Sequence, residues 1–254
     1  MLTLYFSGTG NSRYISRLFS KKMRFDCYSI EENVDFDRLI ADAKTIAKTI
    51  AFCYPIYGSR LPRPMREFVS QYVDALRDKK LIILCTQAMF SGDGARALTD
   101  LLPKNHVDVI YAEHFTMPNN ISNFFPPLQS DAKVAKILQS ARNKLGKTCI
   151  NISRGIVKKH GFNNASKALG LIQGAFWQRV EKICSDKVWI DDDKCTLCGL
   201  CAKICPTNNL QISMGEIITS NNNCALCSRC MNRCPQKAIA VAFRRLPKTQ
   251  YKGT

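Results

Sequence analysis

The sequence is short of acid. Asp and Glu number 20 against 37 Lys and Arg, which leaves a formal net charge of +17. Histidine is scarcer still: His106, His114 and His160 stand apart in the sequence. No adjacent set of histidines therefore suggests general acid–base work or a histidine-rich metal site. Gly and Pro, 13 and 10 in 254 residues, are too few for a low-complexity chain. No apolar run is long enough to span a bilayer. The opening residues carry neither the basic flank nor the cleavage site of a secretory signal. These absences lead us to expect a folded, cytoplasmic protein. Its basic balance suits an acidic partner, whether nucleic acid, an anionic membrane surface or an acidic protein.

The first turn is also informative for what it lacks. An apolar run over residues 1–6 breaks into Ser7-Gly8-Thr9-Gly10-Asn11-Ser12 and continues as an amphipathic stretch. Such a turn offers free amides and the positive end of a helix to a phosphate. A P-loop needs a lysine after its second glycine, where this chain has Asn11. A dinucleotide fingerprint needs a third glycine, where this chain has Arg13. What remains is a cradle of neutral donors. Ser7, Thr9 and Ser12 supply hydroxyls, and the backbone from Gly8 to Ser12 supplies amides.

Cysteine is abundant, with 13 residues. Without a secretory signal this favours metal ligation over disulfides. Cys27, Cys53, Cys85, Cys149 and Cys184 are scattered and read as small apolar residues. The other eight lie in CTLCGLCAKICP (195–206) and CALCSRCMNRCP (224–235), two copies of one pattern. Each reads C-x2-C-x2-C-x3-C-P, the bacterial ferredoxin run for cubane [4Fe–4S] clusters, in which the fourth cysteine serves the other cluster. This assigns Cys195, Cys198, Cys201 and Cys234 to one cluster and Cys224, Cys227, Cys230 and Cys205 to the other. Zinc, which takes four ligands as pairs split by a longer spacer, fits two complete runs poorly.

Residues 1–150 alternate strand-like runs (3–6, 26–30, 49–57, 81–89, 107–117) with helix-like segments (12–23, 35–44, 63–76, 92–103, 131–146). That rhythm implies an α/β domain, a five-stranded doubly wound parallel sheet with helices on both faces. The ligand edge of such a sheet lies outside the carboxyl ends of its strands. There we place Tyr54, Pro55, Ile56, Tyr57 and Gly58 after the third strand. Thr86, Gln87, Ala88, Met89, Phe90, Ser91 and Gly92 follow the fourth. Residues 117–127 form a third loop nearby. Residues 151–187 read as a helical connector docked through Phe176 and Trp177, and residues 188–254 as a small α+β domain with a basic tail.

The turn at residues 7–12 is closely similar to the phosphate loop of flavodoxins. The whole chain resembles fusions of an N-terminal flavodoxin-like domain with a C-terminal bacterial-type two-cluster ferredoxin domain, the iron–sulfur flavoproteins. The resemblance implies a cytoplasmic electron-transfer protein with FMN and two [4Fe–4S] clusters. FMN would lie on the turn and the loops above, with Tyr57 or Phe90 stacked on its ring. It implies an oxidoreductase or electron carrier whose redox partner is an acidic, ferredoxin-like protein, with a small-molecule acceptor at the flavin as a further option. Arg229, Arg233, Arg244, Arg245, Lys248 and Lys252 are candidates for steering that partner. Two other readings stand beside it: a ferredoxin carrying a flavin-free docking domain, and a cluster-based redox sensor with a basic surface for nucleic acid. The chain has no signature of the known nucleic-acid-binding folds.

Overall fold

The computed structural model describes residues 1–42, 49–89, 91–124, 127–220 and 222–253. Five strands appear where the apolar runs predict them: β1 (Leu2–Tyr5), β2 (Asp26–Ser29), β3 (Thr49–Pro55), β4 (Lys79–Gln87) and β5 (Val107–Thr116). They pair in parallel in the order β2-β1-β3-β4-β5. This is the flavodoxin-like order, with its switch point between β1 and β3.

The period-2 alternation of strands explains how the sheet builds two cores. Leu4, Ile50, Phe52, Tyr54, Leu81, Ile83 and Cys85 face one side. There α2 (Phe36–Asp42), α3 (Arg63–Gln71) and the single turn α4 (Arg96–Thr99) cover them. Tyr5, Ala51, Cys53, Ile82 and Leu84 face the other, covered by Ile15 and Phe19 of α1 (Asn11–Met23) and Ala141 and Leu145 of α5 (Asp131–Ser153). With both faces covered, β1 is buried throughout and β3 nearly so, as expected for a parallel sheet.

Three elements differ from the expectation. Helix α5 does not stop near Gly146 but runs on to Ser153. A helical glycine costs only about 1 kcal/mol, and Cys149 of the added turns is buried. The stretch expected as a helix over 92–103 keeps only four helical residues, and Asp93 in the loop before them pairs with Arg60 at 3.4 Å. The sheet also gains a sixth strand, β6 (Lys158–Lys159), parallel to β5 and drawn from the connector.

The rest of the connector is the expected helix, α6 (Asn164–Cys184), opened by the Asn163 side chain accepting from the Ser166 amide at 2.7 Å. Arg66 of α3 binds both carboxylate oxygens of its Glu181 at 2.9 Å. Beyond it, β7 (Val188–Ile190) pairs antiparallel with β10 (Ile239–Val241), and β8 (Leu210–Ser213) with β9 (Glu216–Thr219). Two short helices, α7 (Leu200–Lys203) and α8 (Arg229–Arg233), carry the duplicated cysteine runs.

The duplication is visible in the backbone. Leu197 and Leu226 have φ of 52° and 53°, and Gly199 and Ser228 have 72° and 58°. Equivalent positions of the two copies thus share a left-handed conformation that side chains rarely adopt. Among the described residues no helix is long and apolar enough to cross a membrane.

Candidate functional site

A cleft of about 360 Å³ opens at the carboxyl ends of β1, β3 and β4. Ser7, Gly8, Thr9, Asn11 and Ser12 line it from the first turn. Pro55, Ile56, Tyr57 and Gly58 line it after β3, and Thr86, Gln87, Ala88, Met89 and Ser91 after β4. Three expected residues lie behind the lining. Gly10 supplies the left-handed bend before α1, with φ 116°. Tyr54 is fully buried in the core, its hydroxyl donating to the Gly94 carbonyl at 3.0 Å. The Gly92 amide is spent on Ser59 Oγ at 2.8 Å and Gln173 Oε1 at 3.0 Å. Phe90 lies outside the described residues.

The turn is braced for a ligand on its inner side. The Gly10 amide donates to Ser7 Oγ at 3.1 Å, and Ser12 Oγ is 2.7 Å from Thr86 Oγ1. The third loop supports it: Asn120 Nδ2 donates to Thr9 Oγ1 at 2.8 Å, and the Pro118 carbonyl accepts from Asn11 Nδ2 at 2.9 Å. Residues 250–253, at the end of the stretch expected as a basic tail, pack against this turn, and the buried Tyr251 donates its hydroxyl to Asn11 Oδ1 at 2.6 Å.

Two walls of the cleft escaped the sequence reading. Gln173, Phe176 and Trp177 of α6 form one; Leu226 and Ser228, between cysteines of the second copy, form the other. The Phe-Trp pair signals docking in the sequence, but nothing there says against what. The rings of Tyr57 and Trp177 meet at 5.5 Å. Tyr57 Oη and Trp177 Nε1 are both buried without a hydrogen-bond partner among the described residues. Burial raises the Tyr57 phenol far above its ordinary range, with the Arg229 guanidinium opposing it. A buried donor without a partner is costly, so these two fit a polar group held in the cleft.

The eight clustered cysteines line two small, largely enclosed cavities. One is lined by Cys195, Cys198, Cys201 and Cys234, the other by Cys205, Cys224, Cys227 and Cys230. Each takes three cysteines from one copy and the fourth from the other. Backbone amides already point at the fourth sulfur of each copy: Asn209 N lies 3.2 Å from Cys205 Sγ, and Ala238 N 3.3 Å from Cys234 Sγ. Among the described residues no three Cys, His, Asp or Glu side chains gather tightly enough for one metal ion. Burial pushes the Cys224 thiol up to about 12 and raises Cys201, Cys227 and Cys230.

The two halves share a seam. Cys227 packs into the core of the first sheet face. Arg63 of α3 donates to the Asn222 and Cys224 carbonyls at 3.1 and 3.3 Å.

The histidines are not as isolated as their spacing suggests. His114 and His160 stack at 4.4 Å beside Glu113, whose carboxylate receives Lys158 at 2.7 Å and Lys144 and His160 at 3.0 Å. Burial, aided by the charge of His160, lowers the His114 pKa to about 3. Although burial alone would raise it, hydrogen bonds from His160, Lys158 and Lys144 hold Glu113 well below the usual carboxylate range. Ser91 Oγ links His114 Nδ1, 3.3 Å away, to the cleft. Asp191, in the acidic run before the first cysteine, is paired with Lys194 at 2.5 Å.

The chain is similar to known proteins in two stretches. Its sheet resembles a two-electron-reduced flavodoxin from Megasphaera elsdenii (18% identity, 57% of this chain and 99% of that one, TM-score 0.39). It also resembles the flavodoxin-class WrbA-like protein of Agrobacterium tumefaciens (16%, 60% and 96%, 0.41) and flavodoxin 1 of Bacillus cereus (15%, 57% and 96%, 0.34). The assignment of the sheet rests on its own strand order, since these likenesses are distant. No curated protein matches. Residues 188–211, which carry Cys195, Cys198, Cys201 and Cys205, match the family described as the 4Fe-4S binding domain.

Proposed function

We propose that this chain transfers electrons between a redox partner and an acceptor through two [4Fe–4S] clusters and FMN held side by side. The observation that carries the proposal is the shared loop over residues 224–230. Its cysteines line one four-cysteine cavity, while its Leu226 and Ser228 line the cleft. Cys195, Cys198, Cys201 and Cys234 would hold one cluster, and Cys205, Cys224, Cys227 and Cys230 the other. The turn from Ser7 to Ser12 would hold the FMN phosphate, and the loops after β3 and β4 its ring. Bound FMN handles electrons singly or in pairs, and each cluster singly.

The chain's own residues order the path. Cys198 is exposed, whereas Cys224 and Cys227 are 8% and 7% exposed and border the cleft wall. The outer cavity is therefore the place where a partner protein exchanges electrons, and the inner cavity serves the cleft. Exposed Lys203, Arg233 and Lys237 lie on this half and suit an acidic partner, with an association rate that falls as salt rises. Met89 and Phe176, 67% and 69% exposed at the rim of the cleft, leave room for a small acceptor with an apolar face.

The test is to purify the protein without oxygen and measure its visible spectrum with iron, sulfide, zinc and flavin content. About eight irons and one FMN per chain support the proposal. Clusters without flavin, even after FMN is added, remove the flavin half of it. A colourless zinc protein removes all of it.

A further inference from the structure

Arg229 sits between Cys227 and Cys230 at the start of α8, yet its guanidinium leaves the cysteine loop and grips the outer side of the Ser7–Ser12 turn. Nη2 donates to the Ser7 carbonyl at 2.8 Å and Nε to the Gly8 carbonyl at 3.1 Å. Nη1 donates to the carbonyl of Ile204, the residue before Cys205, at 2.9 Å. Glu31 takes both Nη groups at 2.7 Å and balances the charge. The guanidinium lies 5.8 Å from the Phe6 ring centroid.

The carbonyl and amide of a trans peptide point in opposite directions. With the Ser7 and Gly8 carbonyls held outward by Arg229, the amides of Gly8 and Thr9 are aimed inward, toward the cleft these residues line. The contact is tight: a Cβ on Gly8 would come within 2.5 Å of the Cys227 carbonyl oxygen. One turn along α8, Asn232 Nδ2 donates to the Asn120 carbonyl at 2.9 Å, and Asn120 in turn holds Thr9. The inner cysteine loop thus sets the orientation of the phosphate-facing peptides.

We propose that Arg229 is a positioning residue through which filling of the inner four-cysteine cavity makes the turn competent for FMN, so that FMN loads after that cluster. The inference rests on the FMN reading of the cleft. Arg229 is bracketed by two of the inner cysteines, and its carbonyl partner Ile204 adjoins a third. Leu226 and Ser228, which lie between these cysteines, are left-handed, a conformation that persists only where its surroundings enforce it. Because Glu31 already balances the guanidinium, its contribution is geometric. Lysine, with one nitrogen, cannot reach two carbonyls across the seam, a third on its own half and a carboxylate together.

The experiment is an anaerobic FMN titration, followed by flavin fluorescence quenching. It compares cluster-loaded wild type, cluster-free wild type, and cluster-loaded Arg229→Lys and Arg229→Gln, each with iron and sulfide counted. The expected result is FMN binding at least about tenfold weaker in the cluster-free protein and in both variants, with lysine giving no rescue. Should the Arg229 variants fail to hold clusters, Glu31→Gln leaves every residue of the cysteine segment in place and is expected to weaken FMN binding as well. Equal affinity in cluster-free and cluster-loaded wild type overturns the inference, and so does full rescue by lysine. No FMN binding by cluster-loaded wild type overturns the FMN reading itself, and this inference with it.

Discussion

Replacing Tyr57 by Phe removes one oxygen and little else, and the structure gives this change opposite signs in two states. The hydroxyl is buried and without a partner among the described residues. A buried unsatisfied polar group costs about 1–3 kcal/mol. The cofactor-free variant should therefore be more stable than wild type by that amount. For a chain of this size that is a rise in Tm of roughly 2–12 °C, at about 2–4 °C per kcal/mol. Tyr57 lines the cleft whose wall carries Leu226 and Ser228 of the cysteine loop, so FMN or a cluster bound there should satisfy the hydroxyl. Loading should then cancel the advantage, since a made hydrogen bond contributes about 0.5–1.5 kcal/mol.

The assay is thermal unfolding of wild type and Tyr57→Phe in three states: cofactor-free, cluster-loaded, and loaded with clusters and FMN. The step at which the variant loses its lead identifies the group that uses the hydroxyl. A variant no more stable than wild type when cofactor-free would show that the hydroxyl is already satisfied. A lead that survives full loading would show that neither cofactor uses it. Either result refutes the reasoning.

Two further predictions concern the seam and the histidine pair. Gly8→Ala drives a Cβ against the Cys227 backbone and should cost about 1–3 kcal/mol, as overpacking does. Metal analysis and FMN titration should show weaker FMN binding together with loss of about four irons from the inner cavity, while the outer cluster is retained; unchanged iron with normal FMN binding would contradict the close approach. His114, whose pKa falls from 6.5 to about 3 on folding, contributes stability that is fully present above pH 6.5 and is lost as pH falls toward 3. At about 1.4 kcal/mol per unit, urea unfolding of the cofactor-free protein should weaken by up to about 2 kcal/mol between pH 6.5 and 5. His114→Gln should flatten that slope, and parallel slopes would count against it.

The parts of this molecule legible in the sequence are those fixed by local periodicity. β3 and β4 are long apolar runs because both sheet faces are covered, and such runs announce themselves. The two cysteine runs were legible because both copies keep one spacing, C-x2-C-x2-C-x3-C-P. Tyr54 was misjudged as a loop residue although its parity with Ile50 and Phe52 assigns it to the core face. What the sequence hid is set by contacts between distant segments. Lys158 and Lys159 form a strand with no apolar signal because β5 offers a free edge. Gly146 fails to stop α5 because Cys149 is buried beyond it. Trp177, Leu226 and Tyr251 became part of the cleft and its bracing only through the docking of the two halves.

The positive charge changes meaning in the same way. Read along the chain, +17 looks like a surface for an acidic partner. In the structure, several of the arginines close to the cysteines work internally. Arg63 caps the Asn222 and Cys224 carbonyls, Arg66 binds Leu61 O and Glu181, and Arg229 holds three carbonyls and Glu31. Loops that turn tightly around a cavity leave some of their carbonyls outside helices and sheets, and buried carbonyls need donors. A guanidinium, with five donors in a rigid fork, can serve several at once. Part of the basic excess is therefore a consequence of enclosing the cysteine loops beside the cleft. Arg229, first read as a steering charge, belongs to that part. The steering surface is left to the exposed basic side chains, and salt should alter partner association while leaving the seam nearly untouched, because buried charges are screened far less than exposed ones.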